Sequence, residues 1–344
     1  MSRRSGSRTA PFPVGPWLWT AMMLPFAPIQ SRRLNAEPVR TVDYLLDVDY
    51  VGDGASGHRL DVLTPHRAGS DARKLPVYVY FHGGGWTSGD KSALTKYCAV
   101  QADTGIVVVN VNYRTAGLLR GGSGMRHMLH DANDALRWVV AHVSEHGGDP
   151  GTIVLGGDSA GAQIAALLAA TTTRAELAEH YDLRPAITRA ELGGLVLHCG
   201  AVDFSVVFEP GFIMSHDFVR MLLPGFRRMR MKPAALQKAS RWLSPIEWLD
   251  ASYPPVLVTT SERDIFYHAN LNFVRAAERR GIPVELISYG WDARNTEHTW
   301  QQDTAHPESQ EVYVRLQDFI AQISSRVRSA GALGSSPPPV APHG

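Results

Sequence analysis

This chain has almost no surplus of charge of either sign. Lysine plus arginine number 34 against 33 for aspartate plus glutamate, a formal net charge of +1 over 344 residues. That balance removes the electrostatic case for a nucleic-acid partner, which needs a clustered basic surface. Cysteine is scarce as well. Cys98 and Cys199 are the two present, at no spacing that suggests a metal site. Both are expected as buried thiols, and they neither demand nor exclude an oxidising compartment. No metal and no cofactor is expected.

Long hydrophobic runs are also missing. The most apolar stretch, residues 11–29, follows Arg3, Arg4 and Arg8 and so has the charge layout of a signal peptide. Five prolines interrupt it, no clear small-x-small cleavage site is visible, and it is short for a membrane span. Three readings stay open for an N-terminal extension over residues 1–40: a lid or membrane-surface helix, a targeting or anchor segment, or an unstructured arm. The expected location is cytoplasmic, with membrane association or secretion as alternatives that rest on this segment. The far end, residues 327–344, is small residues and proline around Pro337-Pro338-Pro339. It offers too little apolar surface to offset ordering, so disorder is expected there.

What lies between is well stocked for folding. An apolar content of 44% suffices for a sizeable core, and the length accommodates one large domain with a small cap. Strand-like runs at 44–51, 59–63, 77–81, 106–112, 152–155, 194–198, 256–260 and 284–289 alternate with helical runs at 92–103, 128–145, 160–170, 267–280 and 308–325. Near-continuous Val/Ile/Leu strands separated by helices predict an α/β fold, a mostly parallel eight-stranded sheet covered by helices on both faces. The first two strands read as an antiparallel ribbon. The domain is expected over 41–326, with an inserted helical cap at about 201–249.

Two glycine motifs carry chemistry. Gly157-Asp158-Ser159-Ala160-Gly161 joins the apolar run 152–155 to an alanine-rich helical run. A serine between glycines at a strand-to-helix turn is a nucleophile elbow, with the hydroxyl exposed on a strained residue. The pentapeptide alone is weak evidence; its context raises it. Upstream, the strand at 77–81 runs straight into His82-Gly83-Gly84-Gly85-Trp86. Glycines let main-chain N–H groups approach a carbonyl oxygen that gains negative charge during acyl transfer. The expected oxyanion hole is Gly83, Gly84 and the N–H of Ala160.

Serine needs a base, and the base needs orienting. Downstream of the strand at 256–260 lie Glu262 and Asp264, and Asp264 is the expected acid with Glu262 as rival. After the strand at 284–289 a polar loop holds His298, the expected base, with His306 as rival. His127, His130, His142 and His146 precede Ser159 and read as helix-surface or capping residues.

The residues HGGGW, GDSAG, Asp264 and His298, in that order, resemble the α/β-hydrolase esterases of the hormone-sensitive-lipase-like and carboxylesterase type. The likeness covers roughly residues 40–326. It implies an α/β-hydrolase fold and hydrolysis of small or apolar carboxylic esters through an acyl-enzyme, with a small-molecule ester as the partner. Amidase, formamidase or acyltransferase chemistry on the same residues is the alternative, and a non-catalytic small-ligand receptor is a more distant one. One departure is Thr299-Trp300 after His298, where the family has Gly-Phe. Trp86, Phe204, Phe212, Phe218, Met221 and Leu222 are read as substrate-pocket walls, against the plainer reading that they pack the insertion onto the core. Arg227, Arg228, Arg230 and Lys232 make a basic patch read as a solvated face.

Overall fold

Valine fills the centre of the molecule. Strand β4 (Val107–Val111) is buried along its whole length. Branched side chains suit a pleated surface, and helices here cover both sides of it. In β3 (Leu75–Phe81) the side chains alternate between two cores: Val77, Val79 and Phe81 enter one, Tyr78 and Tyr80 the other. This is a computed structural model, and it describes residues 14–23, 27–66, 74–116, 123–223 and 232–334.

The remaining strands are β1 (Val42–Asp49), β2 (Arg59–Pro65), β5 (Gly148–Asp158), β6 (Leu192–His198), β7 (Val256–Ser261) and β8 (Val284–Tyr289). They form one eight-stranded sheet in the order β1-β2-β4-β3-β5-β6-β7-β8. β1 with β2 and β2 with β4 are antiparallel; every other pairing is parallel. The expected fold class and the antiparallel ribbon are both present.

The helices are α1 (Pro16–Met23), α2 (Ala27–Leu34), α3 (Thr95–Ala102), α4 (Met125–His142), α5 (Ala160–Thr171), α6 (Ala175–Tyr181), α7 (Asp217–Leu222), α8 (Pro233–Ala239), α9 (Tyr267–Glu278) and α10 (Pro307–Gly334). On one face, α4, α5 and α9 complete a core with Met128, Leu136, Leu167 and Phe273. On the other, α3 and α10 supply Tyr97, Cys98, Val312, Leu316 and Ile320. Every residue of α5 is buried, which accounts for its alanine content: the helix lies between sheet and neighbours with no room for bulk.

Parallel register brings the C-terminal strand ends level, with Phe81 beside Gly157, Asp158 beside His198, and His198 beside Thr259. Loops leaving that edge carry Gly83 to Gly85, Ser159, Asp264 and His298, at the strand ends where open α/β sheets bind their ligands.

One expectation at the ends changes. Helix α10 continues to Gly334, so residues 327–334 are helical rather than disordered. Ala330, Ala332 and Leu333 favour helix, and extending an existing helix avoids the nucleation cost. Residues 335–344, with the proline run, lie outside the described residues, as do Arg227, Arg228 and Arg230. At the other end α1 and α2 are folded against the domain. Val14 pairs with the insertion through a bridge to Met214, accepting from Ser215 and donating to Ile213. Asn35, just past α2, donates to the Ser92 carbonyl at 2.6 Å and accepts from the Lys96 amide at 2.9 Å. No helix among the described residues is long and apolar enough to cross a membrane.

The core also stores a pH dependence. His198 ends β6, with the Tyr97 hydroxyl 2.8 Å from Nε2 and Thr259 Oγ1 2.9 Å from Nδ1. Burial pushes its pKa down to about 3, so the folded ring stays neutral. Unfolded, the ring titrates near 6.5, so between those values the unfolded chain binds the extra proton. Stability therefore falls as pH drops through that window, by up to about 1.4 kcal/mol per pH unit. Thermal unfolding followed from pH 7 to pH 4 should show this slope. His198→Gln, which keeps both partners within reach, should flatten it; parallel slopes for wild type and variant would contradict this account.

Candidate active site

Ser159 sits at the join of β5 and α5 with φ 53° and ψ −112°, a conformation that L residues rarely adopt. Glycines stand two positions to either side, at 157 and 161. A Cβ on Gly161 would run into the carbonyl oxygens of Phe81 and His82, and one on Gly157 would lie 2.5 Å from the Phe81 oxygen. Only bare backbone lets the elbow press against the end of β3. The side chain is thereby turned out of the sheet, and Ser159 lines a cleft of about 550 Å³.

His298 meets it there, with Nε2 2.9 Å from Ser159 Oγ. On the other side of the ring, Nδ1 lies 2.6 Å from Asp264 Oδ1. The network assigns the tautomer: Nδ1–H donates to the carboxylate and Nε2 accepts from the serine hydroxyl. Asp264 is buried, so its lone pairs must be satisfied. Thr260 Oγ1 donates to Oδ2 at 2.8 Å, and the Phe266 amide donates to Oδ1 at 3.0 Å. The Phe266 ring lies 5.7 Å from the imidazole. The two rivals point elsewhere. Glu262 accepts from the Trp291 amide at 2.8 Å, and His306 pairs with Asp303 at 3.3 Å.

Cys199 stands behind the pair. Its Sγ accepts from the Thr299 amide at 3.4 Å and from Gln301 Nε2 at 3.6 Å, fixing the loop that carries His298. Cys199, Asp264 and His298 offer ligand atoms within 4.8 Å of one another. Burial pushes the thiol well above its usual range, and the imidazole proton is already committed to the carboxylate. As a donor set for a metal it would have to lose both protons.

The oxyanion loop differs from expectation at one glycine. The Gly83 amide donates to Asp158 Oδ1 at 3.0 Å, so this N–H is committed inside the protein rather than free for a ligand. Gly84 and Gly85 follow with φ of 118° and 59° and line the cleft; their amides, like that of Ala160, have no hydrogen-bond partner among the described residues. His82 holds the loop from behind, stacked on Tyr113 at 4.4 Å, while the Tyr113 hydroxyl donates to its carbonyl at 2.6 Å.

The expected pocket walls are mostly core. Trp86 is 1% exposed, donates its indole N–H to Gln163 at 2.6 Å, and packs on Phe204 and Phe218. Phe204, Phe218 and Leu222 are likewise buried, and Phe212 and Met221 are half-buried against the same core. None of the six lines the cleft that holds Ser159. Their aromatic and apolar spacing serves packing. The walls come instead from α1 and α2, through Trp19, Ser31 and Leu34, and from Thr87, Ala93 and Leu94. No motif marks Trp19 or Leu34 in the sequence. Asp158 and Gln302 carry no such mark either, although Asp158 lies inside the elbow motif.

A family model described as alpha/beta hydrolase fold matches residues 78–300. In Mycobacterium tuberculosis, the protein named "Probable carboxylic ester hydrolase LipM" is 31% identical over 193 residues, 55% of this chain and 41% of its own length. Esterase LipQ of the same organism is 26% identical over 322 residues, 92% of this chain and 70% of its own. The chain thus spans less than half of LipM and about two thirds of LipQ. Among solved structures, esterase B from Lactobacillus rhamnosis superposes with a TM-score of 0.78 at 22% identity, covering 91% of this chain and 96% of that one. Sheet order, elbow and matched sequence agree: the chain belongs to the α/β-hydrolase fold family, whose matched members include carboxylic ester hydrolases and esterases.

Proposed function

We propose that this protein is a serine hydrolase that cleaves carboxylic esters of small substrates through an acyl-enzyme. One observation carries the reading: Ser159, His298 and Asp264 lie in unbroken hydrogen-bond sequence at 2.9 and 2.6 Å on the cleft. The names of the matched relatives support esters as the substrate class.

In this reading Ser159 Oγ attacks the ester carbonyl while His298 Nε2 takes its proton. Asp264 stabilises the imidazolium that forms and does not itself accept the proton. The tetrahedral oxyanion receives hydrogen bonds from the amides of Gly84 and Ala160, with Gly85 as the next unpaired donor on the loop. Gly83 is left out, because Asp158 already holds its N–H. His298 then protonates the departing alcohol, and water, deprotonated by the same imidazole, releases the acid. A cleft of about 550 Å³ is of the size that takes small organic ligands.

A fluorophosphonate probe should label the wild type and leave Ser159→Ala unlabelled; persistent labelling would remove Ser159 from the mechanism. His298→Ala should lower kcat for a short p-nitrophenyl ester by about 10⁴-fold or more, with residual turnover from the hole and from binding. His306→Ala should stay within about tenfold, since its ring pairs with Asp303 and only the surface near the base loop changes. The reverse order of these two variants would transfer the base role.

A further inference from the structure

Helix α1 carries no charged side chain, and Thr20 is its one polar residue. A helix that is apolar all round belongs in a protein core or in a lipid environment. Here one side has protein against it. Thr20 is buried, and Trp19 meets the Phe218 ring and lines the Ser159 cleft. On the other side Trp17, Leu18 and Met22 are 66%, 44% and 45% exposed, with Ala21 exposed between them. At about 100° per residue these four positions span roughly 140° of arc, one continuous outward face. Large apolar side chains scattered singly over a surface are ordinary. Three on two turns of one helix, with no polar group between them, form a patch.

Charge says what the patch faces. Residues 1–40 hold six arginines, at 3, 4, 8, 32, 33 and 40, against Glu37 alone, so this segment carries +5. The other residues hold 28 basic against 32 acidic side chains, a net −4. The near-neutral total thus hides a division, with the positive charge gathered in the segment that contains the apolar helix. Arg32, Arg33 and Arg40 are exposed, Arg33 while paired with Asp303 at 2.8 Å. A tryptophan-bearing apolar face in a basic segment is complementary to the boundary of an anionic lipid layer, hydrocarbon beneath negative headgroups. A second copy of this chain fits less well, because it would bring two +5 segments together.

We propose that α1 docks this protein on anionic lipid surfaces, with Trp17, Leu18 and Met22 entering the headgroup boundary and the arginines of residues 1–40 answering the headgroup charge. Trp19 of the same helix lines the cleft, so docking holds the Ser159 cleft about one helix diameter, roughly 10 Å, from the lipid. The surface that binds and the site that reacts are joined by one helix. The binding is independent of the esterase reading and is measured without it.

Co-sedimentation of the full-length protein with vesicles tests it, using phosphatidylcholine alone and an equal mixture of phosphatidylcholine and phosphatidylglycerol. The mixed vesicles should bind at least about tenfold more strongly, and 1 M salt, where the screening length is about 3 Å, should release most of the protein. Trp17→Ser, Leu18→Ser and Met22→Ser together should lower binding to the mixed vesicles about tenfold or more. Their kcat/KM for a soluble short p-nitrophenyl ester should stay within about twofold of wild type, because none of the three lines the cleft. Trp17→Ser alone, at the most exposed of these positions, should already lower binding severalfold without threatening the fold. Equal binding to both kinds of vesicle, or to neither, would overturn the proposal. Undiminished binding by the triple variant would take the docking surface away from α1. A wild-type dimer that the triple variant dissolves, with no vesicle binding, would assign the face to a second copy and overturn the lipid reading. Vesicle binding by a protein that hydrolyses no ester would sink the esterase reading and leave this one standing.

Discussion

The Asp158 carboxylate ties the site together. It is buried between the nucleophile strand and two loops, and burial raises its pKa, since a charge there is poorly solvated. Three donors answer it: Tyr80 Oη at 2.9 Å, the Gly83 amide at 3.0 Å and Gln302 Nε2 at 2.9 Å. They come from β3, from the glycine loop after it, and from the segment just past His298. One side chain therefore ties together Ser159's strand, the glycine loop and the loop that carries His298. Its neighbour in sequence is Ser159. The arrangement also explains the absence of a side chain at Gly83, where a Cβ would collide with the same carboxylate.

The second constraint is how closely the backbones approach. The elbow presses on the Phe81 carbonyl only because Gly157 and Gly161 have no Cβ. Ser159 takes a positive φ, and so do Cys199 on the neighbouring strand end and Thr299 beside the base. Non-glycine residues held there are costly, of order 1–3 kcal/mol each, and persist where surrounding contacts over-determine them. Here those contacts are on hand. The Ser159 amide donates to the His198 carbonyl at 2.8 Å, the Cys199 amide to the Thr259 carbonyl at 2.8 Å, and the Thr299 amide to the Cys199 sulfur. The candidate catalytic groups are thus held by main chain, on strand ends whose register the sheet fixes.

This division explains which features are legible in the sequence. The inner parallel strands, β3 to β7, are legible because a sheet buried on both faces demands near-continuous Val/Ile/Leu runs. The edge strands β1 and β8 are more exposed and show through alternation of polar and apolar residues. The elbow is legible because two backbones approaching that closely admit only glycine. Asp264 and His298 are picked out by chain order, which the topology enforces. The departure at Gly83 has a different cause. A glycine motif shows that backbone comes close to something, but not which amide faces the cleft and which faces the protein. The pocket walls are ambiguous in the same way. Trp86, Phe204 and Phe218 share the composition of a ligand wall and of a core, and only their three-ring contact decides between the two. Nothing in the order of residues announces that Trp19, 140 positions before Ser159, comes to rest on Gly85.

The legible and the hidden parts also differ in what they do. Strand ends and glycine turns hold Ser159, His298 and the free amides of Gly84 and Ala160. In the proposed reaction a shifted imidazole or a blocked amide would stop turnover of any ester. Helices α1 and α2 touch the cleft through Trp19, Ser31 and Leu34 while contributing nothing to the hydrogen-bond sequence from Asp264 to Ser159. They are attached through a backbone bridge at Val14, an aromatic edge at Phe218, the buried Leu34, two hydrogen bonds through Asn35, and an ion pair between Arg33 and Asp303. If the cleft takes the proposed esters, the α1 and α2 walls are the part of it that can vary while the strand-end geometry around Ser159 and His298 stays as the sheet sets it.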